Sequence, residues 1–390
     1  MLQPVSARDK ATMQVELTHN PSFELVKNYW SQLCEHTPGH AFLNECWITS
    51  WYKVVSKHHS PTLVVVKNFD SIVALAVIHT VKLRRRALFT RKVMFFNEIP
   101  TPPNDMVIEY NGILANPNIY TQAWTAILDC LKTELEWDEI KINKIDPEQS
   151  EAITNAASEN GLIYFHERED TSPIAVLDQA KDWQAVENFN LSSNRRRQVR
   201  KAKQLYEEKY GKLQIEVITD IADVDSFWNE MAHFHTAHWN EKGDAGAFAN
   251  PVWCKFNRSM IADWLNGKHI QLTKYIAGNT CIGYLFNLRV EDRVYNIQCG
   301  FLYEEDNRLK PGFVCHHACM KMCHEIGVQY YYYLAGGEDY KVSLSSQIDK
   351  LNWFCLRKSN KPFIVEDSTV QIVRTLRNLL NTIGSKKIRA

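Results

Sequence analysis

Three neighbouring segments rich in β-branched and aromatic residues constrain the fold of the second half of this chain. They cover residues 269–277, 281–290 and 293–301, and short turns at Asn279 and Asp292 separate them. Strands joined by such short turns pair antiparallel, so the segments predict a meander. A helix over 313–326 and an aromatic strand over 328–334 follow. Antiparallel strands combined with helices in this order predict a mixed α+β fold.

Both halves of the chain have the same predicted order, which is two helices, antiparallel strands, a helix and a strand. The further predicted helices cover 23–34, 43–54, 120–135, 147–160, 192–210, 224–238 and 370–380. The further predicted strands cover 62–67, 71–81, 139–145, 162–165, 172–176, 213–219 and 351–357. The stretch 99–105 contains three prolines and predicts a loop.

The length of the chain, 390 residues, predicts two domains. One hydrophobic core rarely grows beyond about 250–300 residues. We expect domains over 21–178 and 179–365, between a polar N-terminal arm over 1–20 and a C-terminal helix and tail over 366–390.

The composition excludes several classes of protein. The chain has 45 Lys and Arg against 45 Asp and Glu, so its overall charge does not favour DNA or an anionic membrane as partner. We find no apolar run long enough for integral membrane association and no secretory signal in residues 1–20. The ten cysteines are irregularly spaced, which predicts reduced thiols and a cytoplasmic protein. Cys315, Cys319 and Cys323 follow one helix face, which predicts thiols packed on a sheet and not a metal site.

The segment from Arg308 to Phe313 is a candidate anion site. It lies between a predicted strand and a predicted helix N-terminus, where backbone N–H groups and the helix dipole favour an anion. Gly312 permits close approach, and Arg308 and Lys310 add positive charge. A plain turn before a helix is the alternative interpretation.

Two further segments carry candidate catalytic groups. After the aromatic strand, Tyr340 could donate a proton and Lys341 could hold a phosphate or carboxylate, or the segment is a turn with solvated charges. At the end of the helix over 224–238, His235 could act as a base or could stabilise the helix C-terminus.

Residues 195–203 include six basic residues near the start of a predicted helix, which is the unfavourable end for positive charge. The candidate partners for this charge are a nucleotide phosphate, tRNA, or the nearby Glu207 and Glu208. A solvated helix face is the remaining interpretation.

Together these segments resemble the CelD/BioF2-like acetyltransferases, a branch of the GNAT superfamily related to the FemAB aminoacyltransferases. The resemblance covers about residues 40–360. In the second half it rests on Ser192 to Arg197 with Arg200, on His235, Trp239 and Gly243, on Pro311-Gly312, and on Leu334, Gly336, Glu338, Tyr340 and Lys341. In the first half it rests on Phe42 to Trp47, on Trp51 and on the loop from Asn104-Asp105 to Tyr110.

The resemblance implies two tandem GNAT-like domains, each a mostly antiparallel twisted sheet flanked by helices. It implies direct transfer of an acyl group from acyl-CoA, without a metal, to an amine or hydroxyl. The acceptor would be a small molecule or an envelope or polysaccharide precursor. The strands over 293–301 and 328–334 would splay apart to admit the pantetheine of the donor.

The resemblance also assigns candidate roles to residues. The catalytic candidates are the bases His235 and Glu338, the acid Tyr340, and Lys341. The cofactor-binding candidates are Gln298 and Cys299, where a backbone N–H would stabilise the thioester oxyanion, and Arg308, Lys310, Gly312 and Phe313 around the pyrophosphate. The substrate-binding candidates are His238, Trp239, Gly336, Gly337, Arg196 and Arg200.

Two alternative functions stay open. The basic segment 195–203 and the cluster Arg84-Arg85-Arg86 motivate a FemAB-like transferase that uses aminoacyl-tRNA. Departures from the family pattern motivate a GNAT-like scaffold without catalysis, because His238 and Ala335 stand where the family has arginines and Tyr332 where it has an aspartate.

Overall fold

The computed structural model describes residues 13–37, 39–57, 59–85, 89–98, 108–336, 339–361, 363–364 and 366. The predicted loop over 99–105, the predicted helix over 370–380 and the candidates Gly337 and Glu338 lie outside these residues.

The strands are β1 Gln14–His19, β2 Thr62–Asn68, β3 Ser71–Arg85, β4 Phe89–Phe96, β5 Leu114–Ala115, β6 Glu139–Ile145, β7 Ile163–Val176, β8 Leu213–Ile218, β9 Ile270–Ala277, β10 Thr280–Val290, β11 Arg293–Phe301, β12 Tyr330–Tyr332 and β13 Gln347–Arg357. The α-helices are α1 Phe23–Cys34, α2 Glu45–Val55, α3 Tyr120–Glu134, α4 Pro147–Glu159, α5 Trp183–Asn190, α6 Ser193–Tyr210, α7 Ile221–Glu241, α8 Pro251–Trp264, α9 Pro311–Glu325 and α10 Asp339–Ser343.

One continuous sheet runs through both halves, in the order β1-β2-β3-β4-β6-β13-β7-β12-β11-β10-β9-β8, and β5 pairs with β3 outside this path. Strand β13 follows the second half in sequence but inserts between β6 and β7 of the first half. Most neighbours are antiparallel, and the pairs β4–β6 and β11–β12 are parallel. The predicted mixed α/β class and the meander over β9, β10 and β11 are confirmed.

The alternation of side chains along the strands builds cores on both faces of the sheet. One face carries a core shared by the two halves, under α1, α2, α7 and α8. The opposite face carries one core under α3 and α4 and a second core under α6 and α9. Cys315, Cys319 and Cys323 lie in that last core, as their spacing predicts. Among the described residues, no group of His, Cys, Asp and Glu is placed to hold a metal ion.

Strong local signals predict helix ends well. The Ser192 hydroxyl accepts a hydrogen bond from the Arg195 backbone N–H at 3.3 Å, and α6 ends at Gly211, which has a φ of 115°. Gly161 follows α4 with a φ of 63°, the left-handed conformation that ends many helices.

The structure corrects several predictions from the sequence. Residues 14–19 of the predicted polar arm form β1, because Val15 and Leu17 alternate with polar residues and pack on the core under α3. The two short strands predicted within 162–176 are one strand, β7, since its polar middle pairs with β13. Helices α5 and α8 and strand β4 lack a prediction, although Asn250-Pro251 is a typical helix start and caps α8.

Candidate functional site

The parallel strands β11 and β12 separate after a short pairing, as the resemblance implies. Among the described residues their pairing consists of Arg293 with Tyr330, Val294 with Tyr331 and Tyr295 with Tyr332. Strand β11 continues to Phe301, whereas the chain after Tyr332 stays bonded to β7, where the Tyr333 N–H donates to the Pro173 carbonyl at 3.0 Å. The separation opens a cleft of about 560 Å³. Its lining includes the candidates His235, His238, Trp239, Gln298, Cys299, Tyr340 and Lys341.

A bulge in β11 determines which backbone groups of this strand face the cleft. Phe286 of β10 pairs with Gln298, but the next residue of β10 pairs with Asn296, so Ile297 is an extra residue in β11. Such a bulge bends the strand and redirects the residues beside it. Both peptide groups of Cys299 then bond to side chains: its N–H donates to Gln298 Oε1 at 2.9 Å, and its carbonyl accepts from His235 Nδ1 at 3.1 Å.

His235 is held on two sides. Besides the bond from Nδ1 to Cys299, its Nε2 accepts from the Ala247 N–H at 3.3 Å, so the proton lies on Nδ1. A Cβ on Gly246 would lie 2.7 Å from Nε2, so only glycine fits beside the ring. Burial lowers the pKa of His235, which favours this neutral form. These bonds argue for a positioning role, in which His235 ties α7 to β11, and against its predicted role as base.

Aromatic side chains form one wall of the cleft. The rings of His238 and Tyr303 stack with centroids 4.2 Å apart. Lys242 Nζ lies 5.2 Å from the Trp239 ring. On the other side, the Tyr340 ring stacks on buried His316 with centroids 5.7 Å apart. Lys341 Nζ lies 3.4 Å from the Ala335 carbonyl, so α10 presents both predicted groups to the cleft.

The N-terminus of α9 lies beside the start of the basic helix α6. Helix α9 begins at Pro311, so Gly312 and Phe313 stand in its first turn, where backbone N–H groups have no partner within the helix. The Arg195 guanidinium lies 4.3 Å from the centre of the Phe313 ring, and Lys310 Nζ lies 5.6 Å from it. The structure therefore joins two candidate anion sites that the sequence presents separately.

Other basic candidates have local partners. Arg196 donates to the Leu191 carbonyl, and Arg200 lies 3.7 Å from Glu187 of α5. Arg308 pairs with Asp306 at 2.7 Å. None of these three arginines is among the residues that line the cleft. The partners of the first two lie at the C-cap of α5 and within α5, a helix that the sequence did not predict.

Glu109 comes from the first half and lines the cleft of the second half. Its Oε2 accepts from the Ala335 N–H at 2.6 Å, and its Oε1 pairs with Lys144 Nζ at 2.9 Å. The prediction of site residues missed Glu109. The signal for it was its position beside Tyr110, at the end of the acidic loop that carries the resemblance.

A buried ionisable pair lies where the two halves meet. His40 Nε2 is 3.5 Å from Asp146 Oδ2, and His40 Nδ1 is 2.8 Å from the Tyr295 hydroxyl. The His40 ring also stacks on Tyr110, with centroids 4.3 Å apart. Burial lowers the pKa of His40 to about 3 and raises the pKa of Asp146 to about 7. His40 is therefore neutral at neutral pH, and Asp146 keeps its proton below about pH 7.

The first half contains a similar parallel pair, β4 and β6, but the space beyond it is filled. Asn111 donates its backbone N–H to the Lys144 carbonyl at 3.0 Å, and its carbonyl accepts from the Asp146 N–H at 2.9 Å. The Asn111 side chain reaches across to the Phe96 carbonyl at 3.0 Å. The chain itself thus occupies the place that corresponds to the open cleft of the second half.

Comparison with known proteins agrees with this geometry. Residues 193–342 match a family described as an acetyltransferase (GNAT) domain. No curated protein matches the chain. Among solved structures, FemX has a TM-score of 0.60 at 11% identity, and the match covers 89% of this chain and 98% of FemX.

Two further solved structures share the fold. L-PGS from Bacillus licheniformis has a TM-score of 0.54 at 9% identity, over 89% of this chain and 96% of that chain. The C-terminal domain of a putative lysylphosphatidylglycerol synthetase from Agrobacterium fabrum has a TM-score of 0.52 at 8% identity, over 90% of this chain and 97% of that chain. No described helix of the present chain is long and apolar enough to cross a membrane.

Proposed function

We propose that this chain, which contains a GNAT-type acyltransferase domain over residues 193–342, transfers an acyl group from acyl-CoA to an amine or hydroxyl. The acceptor would be a small molecule or an envelope or polysaccharide precursor. The observation that carries the proposal is the Cys299 backbone N–H, which points to the side of β11 where β12 has separated from it.

The donor would bind along the exposed edge of β11. A pantetheine arm carries amide groups, and these can pair with a strand edge as a further strand would. Beyond the pair of Tyr295 with Tyr332, β11 offers that edge inside the cleft. The pyrophosphate would lie at the first turn of α9, between Arg195 and Lys310. This placement gives a function to positive charge at the start of α6, where the helix dipole disfavours it.

The residues of the cleft support direct transfer. The acceptor lone pair attacks the thioester carbonyl, and the Cys299 N–H stabilises the negative charge that develops on its oxygen. The carbon–sulfur bond then breaks, and the Tyr340 hydroxyl gives a proton to the leaving thiolate. The acceptor must lose a proton to a base, for which Glu338 stays the prediction. His235 positions β11 in this scheme and does not exchange a proton.

Transfer from aminoacyl-tRNA is the second candidate function. The shared fold with FemX favours it, since the chain resembles a family related to the FemAB aminoacyltransferases. Several of the basic residues that motivate tRNA binding have partners within the protein, which argues against tRNA binding. Arg85 is paired with buried Glu139, and Arg196 and Arg200 contact the end and side of α5.

Ligand binding separates these functions. We would measure thermal shifts and dissociation constants for CoA, acetyl-CoA, longer acyl-CoAs and deacylated tRNA at low and high salt. A ligand at 100 times its dissociation constant stabilises the fold by about 2.7 kcal/mol, which a melting curve resolves. Binding of tRNA alone, weakened steeply by salt, would support the second candidate. Binding of CoA without CoA release from acetyl-CoA, over a panel of amines and alcohols, would support a scaffold.

A matched pair of variants tests the pyrophosphate site. Arg195→Ala removes the guanidinium beside α9 and should weaken CoA binding roughly 10- to 100-fold, the value of a hydrogen bond to a charged group. Arg197→Ala is the control. Both arginines donate to a side chain of their own helix, Arg195 to Gln198 and Arg197 to Asn194, but the contact with the Phe313 ring of α9 is made by Arg195. Equal CoA affinity in the two variants would contradict the placement of the pyrophosphate.

A further inference from the structure

The side chain of Gln298 occupies a specific position in the cleft. Its Oε1 accepts a hydrogen bond from the Cys299 N–H at 2.9 Å. In an antiparallel pair, residues alternate between those whose peptide groups face the neighbouring strand and those whose groups face away. Cys299 belongs to the second kind, because its carbonyl also bonds to a side chain, that of His235. The N–H that faces the cleft is therefore capped by the residue before it.

The Gln298 side-chain carbonyl, which caps the Cys299 N–H, is a hydrogen-bond acceptor like the acyl carbonyl of the proposed donor. A carboxamide carbonyl and a thioester carbonyl are both planar acceptors, and a single backbone N–H directs its hydrogen bond to one of them. The Gln298 side chain is half-buried at the cleft wall. A donor whose acyl oxygen bonds to Cys299 must therefore displace the Gln298 carbonyl from this position.

We infer that Gln298 sets the preference of the cleft for an acyl-CoA donor over free CoA, because its side-chain carbonyl competes with the acyl carbonyl of the donor for the Cys299 N–H. The inference rests on the proposed acyl-CoA function. Free CoA has no acyl carbonyl and binds without this exchange. Acetyl-CoA gains its bond to Cys299 only as the Gln298 bond is lost. The competition lowers the preference of the wild-type protein for acetyl-CoA over CoA.

Three variants at this position test the inference. Gln298→Ala removes the carbonyl, and Gln298→Leu removes it while it keeps most of the side-chain volume. Both should raise the ratio of the CoA to the acetyl-CoA dissociation constant roughly 2- to 10-fold, the net value of one hydrogen bond. Gln298→Glu replaces the carbonyl by a carboxylate, whose charge-assisted bond to the N–H is stronger, so this ratio should fall.

Isothermal titration of each variant with CoA and with acetyl-CoA gives both constants. A ratio that rises in the alanine and leucine variants and falls in the glutamate variant supports the inference. Binding of both ligands with the same ratio in all four proteins overturns it and leaves the proposed function intact. If wild-type protein binds neither CoA nor acetyl-CoA, the proposed function fails, and the inference fails with it.

Discussion

Replacement of Asp146 by Asn should change how the stability of the protein depends on pH. Asp146 is buried at the start of α4, where its Oδ1 accepts the Glu148 N–H at 3.1 Å and its Oδ2 lies 3.5 Å from His40. Burial is the largest influence on the pKa of this carboxyl and raises it to about 7. The hydrogen bond from the Glu148 N–H and the charge of Arg293 oppose this rise, and the carboxylates of Glu148 and Asp349 contribute to it. In Asp146→Asn the side chain keeps the oxygen that caps α4 but has no carboxyl group that can titrate.

The expected slope follows from proton counting. An unfolded Asp loses its proton near pH 4, so folded protein holds an extra proton on Asp146 from about pH 4 to 7. This stabilisation is complete at low pH and is lost as the pH rises through about 7. An unfolded His gains its proton below about pH 6.5, whereas His40, with a pKa lowered to about 3, stays neutral. That stabilisation is complete above about pH 6.5 and is lost as the pH falls.

The two contributions oppose each other in the wild-type protein. Each changes the free energy of unfolding by about 1.4 kcal/mol per pH unit, and between about pH 4 and 6.5 they cancel. In Asp146→Asn only the contribution of His40 remains. The free energy of unfolding of this variant should therefore rise, relative to wild type, by about 3 kcal/mol from pH 4 to 6.5. His40→Gln should fall by a similar amount over the same range.

Urea unfolding followed by tryptophan fluorescence, in steps from about pH 4 to 7.5, measures these differences. Differences between variant and wild type cancel the titration of every other group. Parallel curves for Asp146→Asn and wild type would refute the reasoning, since they would mean that Asp146 titrates alike in the folded and unfolded chain. The reasoning would also be refuted if the difference in free energy of unfolding from wild type changed with pH in the same direction in both variants.

Two further variants test the packing and the contact between the halves. Gly300→Ala should lower the free energy of unfolding, measured with urea, by about 1–3 kcal/mol. The Cβ of the alanine would lie 2.3 Å from the Met231 backbone carbonyl oxygen, so α7 would have to shift. Unchanged stability would contradict this close approach. Glu109→Ala should speed hydrogen exchange at the Ala335 amide roughly tenfold, while Glu109→Gln, which keeps an acceptor, should stay near the wild-type rate. Equal exchange in both variants would show that this bond does not hold the loop.

The sequence predicts the elements whose signals are local. Helix α1 over Phe23–Cys34 and strand β6 over Glu139–Ile145 match their predicted bounds, because apolar period and flanking turn residues coincide there. The same kind of signal predicts a helix after β11, which is α9.

The contacts between distant segments escaped prediction. The insertion of β13 between β6 and β7 depends on pairing across about 200 residues of sequence, and no local pattern encodes it. The partners of the basic residues are equally nonlocal. The positive charge at the start of α6 suggests an anion nearby. Whether each arginine contacts Glu187, an aromatic ring or a ligand depends on how α5, α6 and α9 pack.

One short segment explains why the cleft of the second half needs the first half. Asn111 fills the space beyond β4 and β6 and is bonded to both strands. Two residues earlier, Glu109 holds the Ala335 N–H at the end of the other parallel pair. Asn111 is buried in this ladder, and Glu109 is buried as well and pairs with Lys144 of β6, so its carboxylate lies at the cleft. The segment that fills the first half beyond β4 and β6 thus also supplies Glu109, which holds one wall of the open cleft in the second half.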